Sequence, residues 1–321
     1  MRATNSPQRP ALGRLDAVDI ARAAALLAMA IYHLSWDLFW FRIVDWNVAA
    51  GIGWRVFAIA IASSFLFLVG VSLVLANGNG FRWRAIAVRF AKIALAAAAV
   101  SVGTWFALGD QFVRFGILHC IALASLLALP FLRLPLPATM LGVAIVVSLP
   151  FWARADIFNQ AGLLWTGLST SPPAAVDYVP MVPWFAAVLL GVLVGRLAYS
   201  RGWLHRLGEW RARGAVSRFA ALAGRHSLPV YLLHQPILFG LVWSAVALGL
   251  TQAPAEVEFL GNCRLSCSAT QDAAICERAC QCTLDGIKAT GNWQRLIETP
   301  QDEELTRILR NTYTLCLAES D

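Results

Sequence analysis

Apolar residues are gathered into near-continuous runs at about 18–40, 54–76, 86–108, 115–133, 136–153, 179–198 and 228–249. Each run is about long enough to cross a hydrocarbon core of about 30 Å as a helix. The pattern predicts an all-α fold with about seven transmembrane helices. The fourth and fifth runs are separated mainly by "RLPLP", and joining them would invert the topology of everything downstream. The first run is too long and too rich in tryptophan and charge for a cleaved signal peptide, and no small-x-small site follows it, so it is expected to stay as the first span.

The apolar pattern stops after "SAVALGL". Residues 1–250 read as a membrane domain and residues 251–321 as a soluble one. The second part carries eleven acids, six bases and six of the seven cysteines. Cys263-x3-Cys267 and Cys276-x3-Cys280 each put two thiols on one helical face, so two short antiparallel helices could be stapled by Cys263–Cys280 and Cys267–Cys276. Cys282 and Cys316 would then pair, although six cysteines allow fifteen connectivities. The tail has no histidine, the commonest zinc partner, and an oxidising outer compartment favours disulfides over zinc. A last helix is expected from "ETPQDEELTRILRNTYTLCL", with Thr299 as N-cap, Pro300 at its first position, and Leu305, Ile308, Leu309 and Leu315 as its packing face.

Composition agrees with the membrane reading: 58% hydrophobic, 14% charged, thirteen tryptophans and a mean hydropathy of +0.61. The net charge of +7 is a topology signal. Fourteen arginines fall in the N-terminus, the 77–92 connection, position 133 and the 196–227 connection, against four in the alternate loops. The positive-inside rule then makes the N-terminus cytoplasmic and, with seven spans, puts the tail on the outer side. Arginines confined to short juxtamembrane loops are weak support for nucleic-acid binding, and none is expected.

Ionisable residues inside the runs are costly and point to function. "AMAIYHLSWDLFWF" sets His33 and Asp37 four residues apart, on one helical face, where a carboxylate can orient an imidazole and raise its basicity. At about 1.5 Å per residue His33 lies roughly 22 Å into the core, in its outer third. Arg114 and His119 open a span that enters from the same side. Asp19, Arg22, Arg196, Arg225, His226 and His234 lie toward the inner face. Taken singly, Arg196 and Arg225 also fit as positive-inside anchors, and His119 as an interhelical hydrogen bonder. Gly191 and Gly195 have a small-xxx-small spacing that permits close helix approach, and Pro183, Pro229 and Pro236 can kink their spans.

"RLDAVDIARAAALLAMAIYHLSWDL", "FLFLVGVSLVLA", "RFGILHCIAL", "VPWFAAVLLGVLVGRL" and "HSLPVYLLHQPIL" together resemble, in order over about residues 14–248, the bacterial members of the heparan-alpha-glucosaminide N-acetyltransferase catalytic-domain family. The opening Asp19-x-x-Arg22 with His33 is also similar to a broader class of membrane acyltransferases. The resemblance implies a bacterial inner-membrane enzyme. It would pass an acetyl or other acyl group from cytosolic acyl-CoA to an amine or hydroxyl of an outer-side sugar or envelope glycan. On that reading the inner Asp19, Arg22, Arg196 and His234 serve the acyl-CoA, and the outer His33, Asp37, His119 and Arg114 serve catalysis, with His33 as base. No metal is expected. The animal lysosomal enzyme carries a catalytic histidine in the loop after this span, and "FRIVDWNVAAG" has none, so an acetyl-histidine relay is not carried over. The tail lies outside the family's core.

Three other readings compete. Polar clusters at both faces with kinked helices also describe a transporter or flippase for a small envelope precursor, but no internal repeat is evident. A haem protein would use His33 and His119, at similar depth, as axial ligands. A plain anchor for the tail leaves the outer cluster unexplained. The acceptor, the acyl chain, the tail's partner and the oligomeric state, a homo-oligomer included, stay open.

Overall fold

The structure is a computed structural model that describes residues 14–44, 46–78, 80–251 and 254–320. It is almost entirely helical. The chain forms α1 (Asp16–Trp40), α2 (Ile52–Asn77), α3 (Trp83–Leu108), α4 (Ile117–Leu127), α5 (Leu136–Trp152) and α6 (Met181–Ser200). Two shorter helices, α7 (Trp203–Glu209) and α8 (Ala215–Arg225), precede α9 (Ser227–Ala247), and α10 (Pro254–Cys267), α11 (Ala273–Ala289), α12 (Trp293–Glu298) and α13 (Glu303–Ser320) make the tail. Among the described residues, five helices, α1, α2, α3, α6 and α9, are long and apolar enough to cross a membrane. The fourth and fifth apolar runs give shorter helices. At about 1.5 Å per residue α4 rises roughly 16 Å and α5 roughly 26 Å, less than the ~30 Å core. Pro130 and Pro135 bring no N–H to the helical ladder between them.

Contacts divide the chain into two compact units: Gly51–Pro236 with the residues up to Tyr32, and His33–Ala50 with Ile237–Asp321. In the first, the core is built by Leu66, Val69 and Leu73 of α2, Cys120 and Ala124 of α4, and Phe185, Val188, Leu189 and Val192 of α6. The α2–α6 crossing is close because two glycines face each other's backbone. A Cβ on Gly70 would run into the carbonyl oxygen of Val188, and one on Gly191 into that of Phe67. Gly195 continues the contact against Val74 at 3.1 Å. This is small-residue packing, which suits a medium where apolar burial does not draw helices together. The outer faces of α3 and α5, with Leu95, Trp105, Phe106, Leu141, Phe151 and Trp152 well exposed, are apolar as lipid-facing surface must be.

The second unit contains the tail. Cys263–Cys280 and Cys267–Cys276 staple α10 to α11, and Cys282–Cys316 ties α13 to α11, the pairing expected from spacing. Leu260, Leu284, Cys267, Cys276 and Cys280 form its core, with the Phe259 and Trp293 rings edge to face at 5.5 Å. Two expectations about the last helix need correction. Its cap is Asp302, whose Oδ1 accepts from the N–H groups of Glu304 at 2.9 Å and Leu305 at 3.3 Å. Thr299 instead closes α12, donating its hydroxyl to the Arg295 carbonyl at 2.8 Å. Shifting the start moves the packing face to Leu305, Ile308, Leu309, Thr312, Tyr313 and Cys316, and Leu315 is 68% exposed.

Candidate functional site

At its arginine-rich end α1 carries a nearly inaccessible carboxylate, Asp19, 1% exposed. One oxygen accepts from Arg22 at 2.5 Å and the other from Arg14 at 2.8 Å, with Arg225 at 3.6 Å. Asp16 next to it accepts from Arg225 at 2.8 Å and from the Ala212 N–H at 3.1 Å. The backbones meet here too: a Cβ on Gly224 of α8 would collide with the carbonyl of Asp19. A buried carboxylate needs such partners, and charge-assisted bonds of this kind hold guanidiniums in fixed positions. Arg22 is further held by donating to the Ser72 hydroxyl of α2 at 2.6 Å.

Arg22 so placed forms part of the wall of a cavity of about 860 Å³. The wall is completed by Phe65, Leu68 and Val69 of α2, Leu118 and Ile121 of α4, and Ser227, Leu228 and Tyr231 of α9. Arg84, Arg89 and Lys92 come from α3, and Arg82 from the residue just before it. Among the described residues, five cations and no carboxylate therefore line one cavity. Its size falls within the ~300–1,000 Å³ of small-molecule sites, and a mixture of guanidiniums and apolar wall suits a molecule with a polyphosphate and a long neutral arm.

A second polar cluster surrounds the start of α4. Residues 176–179 run beside 111–115, with the Val176 N–H donating to Gln111 and the Val179 N–H to Phe115. This brings Asp177 to the helix end, where Oδ2 accepts from the Ile117 N–H at 2.9 Å. The carboxylate thereby caps a helix N-terminus. Nδ1 of His119 accepts from the Gly116 N–H at 3.2 Å, which puts the ring proton on Nε2, 3.4 Å from the Ser101 hydroxyl. Both ring nitrogens are thus engaged in ordering this turn. Arg114 lies with its guanidinium carbon 4.7 Å from the centre of the Phe112 ring.

The sequence profile of the family described as "Heparan-alpha-glucosaminide N-acetyltransferase, catalytic" matches residues 14–236. The chain belongs to this family. Comparison with curated proteins and with solved structures gives no match. The membership makes the chain a membrane protein of acyltransferase type, and the matched region contains both clusters.

Within this family member the eight residues given catalytic or donor-binding roles from sequence fall in several places. Asp19 and Arg22 meet, Arg22 in the cavity wall and Asp19 behind it as its anchor. Arg196 donates to the carbonyls of Phe131 at 2.8 Å and Leu134 at 2.5 Å, tying α6 to the turn between α4 and α5. His234 sits three residues beyond the cavity-lining Tyr231, with Nδ1 at 2.5 Å from the Tyr231 carbonyl. His119 and Arg114 are in the α4 cluster. His33 and Asp37 belong to the second unit, one helical turn apart on α1, with Asp37 only 1% exposed. Among the described residues no three of His, Cys, Asp or Glu are grouped to hold a metal ion.

Arg82, Arg84, Arg89, Lys92 and Asp177 were not singled out by sequence. The α3 cations had a sufficient explanation as topology anchors. Arg89 and Lys92, however, stand about 1.7 and 2.5 turns inside α3, deeper than an interfacial anchor requires, and that spacing was the available signal.

Proposed function

We propose that the protein transfers an acetyl or other acyl group from acyl-CoA to an amine or hydroxyl of a sugar or envelope glycan on the opposite side of the membrane. The observation that carries this reading is the cavity lined by Arg22, Arg82, Arg84, Arg89 and Lys92 with no carboxylate among its described lining residues. Guanidiniums pair with phosphate oxygens in bidentate fashion, and the apolar wall suits the pantetheine arm. Asp19 and Ser72 hold Arg22 in place, so part of the ordering cost of binding is met in the free protein.

His33 is the base in this proposal. It accepts the proton of the acceptor N–H or O–H as the heteroatom bonds to the thioester carbon. The carbon–sulfur bond then breaks, and the imidazolium returns the proton to the departing thiolate. Asp37, one turn along α1, orients the ring. The arginine-rich connections support a cytosolic donor side with the tail in the periplasm.

The test is to supply radiolabelled acetyl-CoA to vesicles of each orientation and follow label onto glycan. Wild type should label acceptor on the face opposite the donor, and His33→Ala should abolish labelling while still inserting. Arg89→Gln should weaken acyl-CoA binding roughly tenfold or more, since a charge-assisted hydrogen bond contributes about 1.5–3 kcal/mol. Full labelling by His33→Ala would remove the base, and unchanged binding by Arg89→Gln would remove the donor site.

A further inference from the structure

Apart from Ala212, Gly224 and Arg225, which back Asp16 and Asp19, the connection from α6 to α9 is not used by this function, yet α8 within it is the most sharply amphipathic described helix. α8 turns Ala221 and Gly224 inward as its packed face, both buried, with Ser217 and Ala220 beside them. On the side away from the protein it exposes Val216 at 83%, Phe219 at 73% and Leu222 at 50%. Trp203, Leu207 and Trp210, just before it, are also about half exposed. Arg201, Arg206, Arg211, Arg213 and Arg218 are interleaved with these residues, and Glu209 is the sole acid in this stretch. Among the described residues, no carboxylate lies within ion-pair range of Arg201, Arg206, Arg213 or Arg218.

Positive-inside anchoring accounts for arginines near a membrane. It does not account for a helix lying outside the spans with its apolar residues facing away from the protein. That geometry is an in-plane interfacial helix: the apolar side enters the acyl boundary, and the arginines meet headgroups. We infer that the α7–α8 segment docks on the anionic phospholipid headgroups of the leaflet at the arginine-rich end, steadying the start of α1 through Arg225, Asp16 and Asp19. The link to α1 is short: Arg225 spans both acids, the Ala212 N–H meets Asp16, and Arg211 donates to the Arg14 carbonyl at 2.9 Å. Charge complementarity selects the occupant, because a neutral surface would satisfy the apolar face and leave the arginines unused.

The test is amide hydrogen exchange of the full chain in nanodiscs of purely zwitterionic phospholipid and in discs with added phosphatidylglycerol. Each arginine near an anionic surface biases docking by roughly fivefold. Exchange over residues 203–225 should therefore slow roughly tenfold or more in the anionic discs, with a smaller slowing over 16–22. Raising the salt should cancel the difference by screening. Arg213→Gln with Arg218→Gln should lose the lipid dependence, and Phe219→Asp should raise exchange in both kinds of disc. Equal protection in the two wild-type samples would overturn the inference, as would lipid dependence that survives removal of both arginines. The readout does not involve acyl transfer, so its failure leaves the proposed function standing.

Discussion

Asp177 shows how one side chain can tie two connections together. It lies outside the membrane-spanning segments and caps α4 through the Ile117 N–H. Burial pushes its carboxyl up from 3.8 to about 6, against the opposing pull of that hydrogen bond. A carboxyl whose folded pKa is raised binds more protons in the folded than in the unfolded state across that window. Stability therefore falls as pH rises from about 4 to about 6 and is level above it. Thermal unfolding in detergent across this range should show that fall in wild type and a flatter profile in Asp177→Asn. Equal slopes would mean that another group titrates. Gly116 is part of the arrangement, because a Cβ there would collide with the Asp177 carboxylate.

At the scale of elements the α2–α6 crossing decides the packing of the first unit. Gly70 and Gly191 are each pressed on an opposing backbone carbonyl, and backbone cannot swing aside as a side chain can. Gly191→Ala should therefore force the helices apart and cost about 1–3 kcal/mol, the range for overpacking a filled core. Gly103→Ala on α3, where nothing lies within 4 Å of an added Cβ, should be neutral or slightly stabilising. Apparent melting temperatures of the two variants in one detergent make the comparison. The small-xxx-small spacing of Gly191 and Gly195 was visible in sequence. That the opposing glycine is Gly70 was not, because spacing within one helix says nothing about which helix it meets. α5 keeps the length of its run, whereas α4 stops at Leu127, six residues before its run ends. Hydropathy counts apolar residues and does not weigh Pro130, which brings no N–H to the ladder and follows a short turn past the end of α4.

At the scale of the molecule the chain is a membrane acyltransferase domain continued into a disulfide-bonded helical tail. The three bridges follow the C-x3-C spacing and the leftover pair, and the helices they join draw most of their stability from packing on one another rather than from propensity. Replacing Cys282 and Cys316 together by serine should cost the tail about 2–5 kcal/mol. α13 should then become the first segment cut in limited proteolysis, with α10 and α11 still protected by their two staples. Simultaneous cleavage throughout the tail would mean that it unfolds as one cooperative block.

Apolar runs, arginine placement and the cysteine spacing determined by themselves that this is a helical membrane protein with a cross-linked tail. These signals are local: each is complete within one helix or one short stretch of chain. The motifs resembling the acetyltransferase family likewise stood in the sequence, in order. Only the tertiary structure decided that Arg89 and Lys92 share a cavity with Arg22, that Asp177 caps α4, that Arg196 ties a turn in place, and that the second unit contains His33. Those facts depend on which helices are neighbours and how each is rotated about its axis. Small residues and distant carboxylates set that rotation, through contacts between positions far apart along the chain.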